Sequence, residues 1–152
     1  MLVSRHIILG ILLSIFLYFL FPNLGIFSIS IIFLSSFLID VDHYIYYVYK
    51  YKSLSLKKAY FFFLEIKKKW IAFSPAEKRQ YQFLILLFHG VEFLFVLAVA
   101  SFFSQIMLYI FIGSAFHLLV DWIELIYAKS PLYIKLSPIY VHITNKHKKK
   151  FF

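Results

Sequence analysis

Four long apolar blocks, separated by short polar stretches, set the pattern of the chain. They run over about residues 6–21, 24–39, 81–103 and 105–127. A spanning helix needs about 20 apolar residues, so the last two blocks are long enough and the first two, at about 16 residues, are slightly short. The turn residues Pro22-Asn23-Leu24-Gly25 make the first two blocks a predicted helical hairpin. The pattern therefore predicts an all-α integral membrane protein, a four-helix transmembrane bundle.

The basic residues all lie outside the apolar blocks. Arg5 precedes the first block, and the other 15 of the 16 lie between the second and third blocks or after Tyr127. The turns at 22–25 and 103–105 carry no charge. With four crossings, every basic residue falls on one side, which the positive-inside rule assigns to the cytoplasm. We therefore expect a multi-pass protein of the cell (inner) membrane with both termini cytoplasmic.

Composition supports this class and excludes others. Hydrophobic residues make up 62% of the chain, charged residues 15%, and the mean hydropathy is +0.83. The net charge of +9 could suit nucleic acid, but its position favours anionic lipid headgroups as partners, and no nucleic acid is expected. The absence of cysteine excludes disulfides and thiolate sites. A cleaved signal peptide, with Ser28-Ile29-Ser30 as its site, is the weaker alternative because the apolar run continues past it.

The loop between the second and third blocks contains an amphipathic segment, Leu54–Phe73. One face of its predicted helix carries Lys57, Lys58, Glu65, Lys68 and Lys69, and the other carries Leu56, Ala59, Tyr60, Phe63, Ile66, Trp70 and Phe73. This pattern predicts an interfacial cytoplasmic helix, with packing on the protein's own inner face as the alternative. Ser74-Pro75-Ala76-Glu77 then resembles a helix N-terminus, so we expect the third helix to begin there.

We accordingly divide the chain into two parts. Residues 1–128 form a membrane-embedded helical domain with a cytoplasmic amphipathic loop at about 50–80. Residues 129–152 form a basic cytoplasmic tail, in which His142 and His147 are expected to be solvated.

Ionisable side chains within or beside the apolar blocks are costly and therefore call for a role. They are His6, Asp40, Asp42, His43, His89, Glu92, His117, Asp121 and Glu124. This mixture of carboxylates and imidazoles suits a divalent cation, with zinc expected and manganese or iron as alternatives. Asp42 lies off the face shared by Asp40 and His43 unless the helix ends there.

Depth and spacing bring these groups together. At 1.5 Å per residue, His89 lies about 12 Å below the inner interface, and His117 and Asp121 lie about 18 and 24 Å from the outer one. His117 and Asp121 are four residues apart and share a helix face. Gly10 and Gly113 lie four residues from His6 and His117, where a missing side chain lets helices approach. We predict a cytoplasm-facing metal site, against the alternative of a purely structural polar cluster.

Three short motifs resemble those of the YdjM-like inner-membrane proteins, a family described as metal-dependent hydrolases. They are the segments Arg5–Gly10, Leu38–His43 and Gly113–Asp121. The resemblance implies a metal site with His6, Asp40, Asp42, His43, His89, His117 and Asp121 as ligands. The family is in turn similar in motif style to zinc-dependent phospholipase C and related nucleases, which implies a phosphoester substrate.

The chain departs from the family pattern at two places. Ile39 stands where the family has proline, and Phe88–Glu92 replaces a longer His-Arg-Gly-x-Thr-His-Ser motif. The resemblance makes His89 the counterpart of the second histidine, with Glu92 in place of a lost ligand. A relative that keeps the metal without activity would show the same departures.

The residues predict a metal site near the cytoplasmic leaflet, and the resemblance implies a metal-dependent hydrolase acting there on a phosphoester or a phospholipid. Glu92, or failing that Glu124, is the expected general base. The principal alternative is a non-catalytic membrane protein with a structural polar or metal cluster. A b-type haem protein is disfavoured by the nearby acids, and a transporter by the lack of ionisable residues in the outer halves of the blocks.

Topology gives the first test. Reporter domains fused at the C-terminus and inserted between Lys57 and Lys69 should both report a cytoplasmic location, because all basic segments fall on one side. A periplasmic or extracellular signal from either fusion would contradict the four-crossing arrangement.

Overall fold

The computed structural model describes residues 3–150 and is helical, with no β-strand in that range. In chain order the helices are α1 (Val3–Leu20), α2 (Gly25–Leu38), α3 (Val41–Tyr51), α4 (Leu56–Ala72), α5 (Pro75–Lys78), α6 (Val91–Ser101), α7 (Gln105–Tyr127) and α8 (Pro138–Asn145). Short 3-10 turns cover Pro22–Leu24 and Leu132–Lys135. The most extensive packing joins α2 to α7, with α1 against α2 and α6 against α7.

Three helical stretches of the described chain are long and apolar enough to cross a membrane. They are α1, the stretch Pro22–Tyr51, and α7. This agrees with the predicted class of membrane protein. The predicted hairpin turn forms at Pro22–Gly25, where Gly25 takes a φ of 68°, in the left-handed region that favours glycine.

The prediction of one continuous helix from about residue 81 to 103 is wrong. Its helical part, α6, has only 11 residues, or about 16 Å. The residues before it hydrogen-bond mainly to other parts of the chain, although His89 N–H bonds to the Leu86 carbonyl within the stretch. Phe83 N–H bonds to the Asn145 side chain at 2.9 Å, and Phe88 N–H donates to the Asp42 carboxylate at 3.1 Å. These partners satisfy backbone groups that a helix would have paired internally.

The amphipathic segment forms the helix α4, which turns its apolar face toward the protein. Ala59 is buried, and the Trp70 indole N–H donates to the Ser130 hydroxyl at 3.2 Å. Next to it, Ser74 and Glu77 form the predicted capping box, and its hydrogen bonds lower the pKa of Glu77. The helix it caps, α5, ends at Lys78, so it is not the start of the third long helix.

The segment after α7 folds back onto the body. Within α8, Val141 is fully buried, and the Asn145 amide donates to the Phe83 carbonyl at 2.8 Å. Lys149 N–H bonds to the Gln80 carbonyl at 2.9 Å. The part of the predicted basic tail that the structure describes therefore packs against residues 80–83.

Helices α2 and α7 approach closely at Gly113, as the sequence predicts. A Cβ atom there would collide with the Ser35 hydroxyl and the Ile32 backbone carbonyl. A Cβ at Gly10 would meet the Ser36 hydroxyl and touch the Phe33 ring. The two sites differ because a backbone carbonyl cannot rotate away, whereas a serine hydroxyl can.

Replacing these glycines tests the contact. Gly113→Ala should lower the free energy of unfolding by about 1–3 kcal/mol, as overpacking does, and Gly10→Ala should lower it by less. Denaturation of the purified protein in mixed micelles measures both variants. Equal stability of the Gly113→Ala protein and the wild type would contradict the close approach.

Candidate metal centre

All seven predicted metal-site residues lie together at one end of the α1, α2 and α7 helices. Helix α1 supplies His6, the turn before α3 supplies Asp40, α3 supplies Asp42 and His43, the stretch before α6 supplies His89, and α7 supplies His117 and Asp121. Six of the seven are buried, and only His43 is partly exposed. Asp42 reaches the group because α2 ends at Leu38 and the chain turns before α3 begins.

Four possible ligand atoms lie close together in this cluster, and three of them, on His89, His117 and Asp121, have mutual distances near those of a tetrahedral site. His89 Nε2 lies 3.0 Å from His117 Nε2, 3.2 Å from Asp40 Oδ1 and 3.5 Å from Asp121 Oδ2. His117 Nε2 lies 3.6 Å from Asp40 Oδ1 and 3.2 Å from Asp121 Oδ2. A tetrahedral cation with ligands at about 2.0–2.2 Å separates neighbouring ligand atoms by about 3.3–3.6 Å. These residues could therefore hold a metal ion.

Hydrogen bonds on the far side of each imidazole leave these nitrogens free for a cation. His117 Nδ1 lies 2.9 Å from the Ser36 carbonyl, to which it donates. His89 Nδ1 lies 3.0 Å from Asp42 Oδ2, and a carboxylate can only accept. When both rings are neutral, the two Nε2 lone pairs therefore face each other at 3.0 Å. A metal ion removes that repulsion, and a proton on one nitrogen is the alternative.

Several buried polar atoms of the cluster lack a hydrogen-bond partner among the described residues. They are His6 Nε2, Asp40 Oδ2, Asp42 Oδ1 and His43 Nδ1. His6 and His117 stack with their ring centroids 3.8 Å apart, and His6 Nε2 lies 3.4 Å from Asp121 Oδ1. His43 Nδ1 and Asp42 Oδ1 lie 3.2 Å from each other, so Asp40 Oδ2 is the atom of this set for which no polar contact is described. A buried carboxylate oxygen without a partner is expensive, which fits a site completed by a cation.

The three possible ligand groups overlap. They are His6 with Asp40 and His117, Asp40 with His43 and His89, and His89 with His117 and Asp121. Asp40 belongs to two of them. Asp42 belongs to none, and its contacts with His89 and with Phe88 N–H favour an orienting role, as carboxylates behind metal-bound histidines have.

Lys135 is a member of the cluster that the sequence reasoning missed. Its ammonium lies 2.5 Å from Asp121 Oδ2, and the residue is buried. Burial lowers the pKa of Lys135, but the carboxylates of Asp121 and Asp40 outweigh it and raise that pKa above its usual value. Sequence placed Lys135 in a basic tail, and no spacing rule links it to a residue 14 positions earlier across two turns.

The two predicted general bases lie outside the ligand groups. Glu92 contacts the Ser137 hydroxyl at the start of α8, and its Oε2 atom is buried without a hydrogen-bond partner in the described chain. Glu124 forms an ion pair with Lys67 of α4 at 3.0 Å. His142 and His147 are exposed, as expected for solvated residues.

No protein-family model, curated protein or solved structure matches the chain. The likeness to YdjM-like proteins therefore rests on the three short motifs alone.

Lys135 gives a test of the cation site. Lys135→Gln should lower the free energy of unfolding of the metal-free protein by about 3–5 kcal/mol, because it leaves the Asp121 carboxylate buried without its cation. Bound zinc should recover the lost stability. The apparent zinc affinity of the variant should therefore exceed that of the wild type by at least about tenfold. Unfolding with and without zinc, together with zinc titration, measures both effects.

The matched control is Lys148→Gln, because the Lys148 ammonium bonds to the Tyr133 hydroxyl, outside the centre. Its zinc affinity should equal that of the wild type. Weaker zinc binding by Lys135→Gln than by the wild type would mean that the ammonium does not compete with the metal.

Proposed function

We propose that this chain is a membrane-embedded, metal-dependent hydrolase that acts at the cytoplasmic leaflet on a phosphoester. The observation that carries the proposal is a buried cluster in which two imidazole nitrogens lie 3.0 Å apart and each lies 3.2–3.6 Å from the same two carboxylate oxygens. A cation bound by both Nε2 atoms would account for their 3.0 Å separation. The three YdjM-like motifs point to the same class of enzyme.

Zinc is the proposed ion, because imidazole nitrogens and carboxylate oxygens suit it, with manganese and iron as alternatives. His89, His117, Asp40 and Asp121 would hold it, and His6 and His43 extend the ligand set around Asp40. The ion, when bound, supplies Lewis-acid activation of water and of a phosphoryl oxygen.

The other residues of the centre position groups and balance charge. Asp42 orients the His89 ring through Nδ1, and the Ser36 carbonyl does the same for His117. Lys135 brings a positive charge to the edge of the ligand set, where it can bind an anionic oxygen of a substrate. Glu124, at the end of α7, and Glu92, at the start of α6, remain the proposed proton acceptors.

Localisation and partners belong to the same proposal. With the basic segments cytoplasmic, the centre would lie near the inner surface of the cell membrane, among anionic headgroups. A bilayer would then supply both the environment and the substrate.

Metal analysis of the purified protein tests the centre directly. His117→Ala and Asp121→Asn should each lower the bound metal from near one equivalent or more to a small fraction, because each removes a shared ligand. His147→Ala, an exposed histidine near the C-terminus, should keep the wild-type content. Hydrolysis of phosphoesters, with anionic phospholipids tried first, should stop with a chelator and return with zinc or manganese.

Glu92→Gln separates two roles for that residue. Retained metal with lost activity would make Glu92 a proton acceptor, whereas lost metal would make it a ligand. A folded wild-type protein that takes up no zinc, manganese or iron would overturn the hydrolase proposal. The non-catalytic structural cluster, with Lys135 as its internal cation, would then replace it.

A further inference from the structure

A cavity of about 430 Å³ lies beside the centre, under the apolar face of α4. Its walls are largely apolar, with Ala59, Phe63 and Ile66 from α4 on one side and Leu84, Leu86 and Ile134 on the other. Its volume falls in the range of about 300–1,000 Å³ that is typical of small-molecule sites.

The floor of this cavity is polar and belongs to the centre. Asp40 and His43 line it and are members of one ligand group. Lys135 also lines it and is ion-paired to Asp121. His89 and His117 are fully buried, so a ligand in the cavity meets the centre through these three floor residues.

The rim of the cavity is apolar and exposed. Leu56, Tyr60 and Ile71 of α4 line the cavity while 69%, 55% and 61% of their surfaces are accessible. A polar, water-soluble substrate gains no favourable contact from such a rim or from apolar walls. A hydrocarbon chain does, because it fills apolar space without leaving a polar group buried and unpaired.

The charged residues in the cavity bear on which head group an amphiphilic ligand carries. Lys67 and Lys135 line it, each paired with a carboxylate, Glu124 or Asp121. A divalent ion in the centre would add positive charge at the floor, which then attracts an anionic head. This part of the argument rests on the proposed function, whereas the fit of a chain to the apolar walls does not.

We propose that this cavity binds one hydrocarbon chain of an anionic membrane lipid, with its head on the floor formed by Asp40, His43 and Lys135. The chain lies between α4 and the segment that contains Leu84, and the phosphate ester faces the candidate metal centre. The occupant is thus a lipid of the surrounding bilayer, and its anionic head selects it among the lipids present.

Photolabelling in phosphatidylcholine nanodiscs tests the chain site. The probe is dodecyl phosphate that carries a diazirine in mid-chain, with labelled residues identified by mass spectrometry. Phe63, Ile66 and Leu84 should be labelled, together with Phe16 and Phe19, which are exposed on α1 and report general contact with the bilayer.

Two variants, one on each wall, should block the cavity. Ala59→Phe places a ring inside it, and the matched control Ala72→Phe places the same ring on an exposed position of α4. Leu84→Trp fills it from the other side, with exposed Leu87→Trp as its control. The two blocking variants should lose labelling of the cavity and keep labelling of Phe16. The two control variants should keep labelling of the cavity and of Phe16.

The outcomes separate this proposal from the hydrolase. Labelling of the cavity should persist in chelator-treated protein, so a protein without hydrolase activity can still confirm the chain site. Unchanged labelling in a folded blocking variant would overturn the chain site, whatever the activity.

The head is tested separately in zinc-loaded protein. Unlabelled dodecyl phosphate should compete about tenfold better than dodecanol, a factor typical of one hydrogen bond to a charged group. Equal competition by the two would overturn the selection of an anionic head.

Discussion

The close approach of α2 and α7 at Gly113 is the contact on which the candidate centre depends. It brings the Ser36 carbonyl within 2.9 Å of His117 Nδ1, so the backbone of one helix fixes the ring of the other. A side chain at position 113 would collide with the Ile32 carbonyl and separate the two helices. Because Asp40 follows α2 directly, the same contact sets the distance of its carboxylate from His117.

Charge balance is the second constraint on this fold. Asp40, Asp42 and Asp121 are all buried in an apolar body, where an unpaired charge is very costly. The Lys135 ammonium balances the charge of Asp121. The histidines accept or donate hydrogen bonds according to their protonation. The remaining carboxylate oxygens converge on positions suited to a cation. The same arrangement explains why a lysine belongs beside a proposed metal site: it neutralises Asp121 when no ion is bound.

The end of the molecule that carries the candidate centre is built by segments that fold back over it. Helix α4 directs its apolar face toward residues 82–86 and the stretch after α7. Its second half is held by a hydrogen bond from Trp70 to Ser130 and an ion pair between Lys67 and Glu124. The apolar face is not fully packed, and the remaining space is the cavity. Amphipathicity alone does not distinguish a face that covers lipid from one that covers protein.

The sequence by itself determined what depends on local pattern and length. The apolar runs marked α1, α2 and α7, and the residues Pro22 to Gly25 marked the hairpin turn. The cost of burying charge marked seven residues that lie together, six of which belong to possible ligand groups. Tertiary structure alone decided the contacts between distant segments. Asn145 and Asp42 take hydrogen bonds from residues 83 and 88, which keeps that apolar run from forming one long helix. Lys135 enters the centre only because the chain returns after α7. No local pattern reports such contacts, because their energy comes from partners far away in sequence.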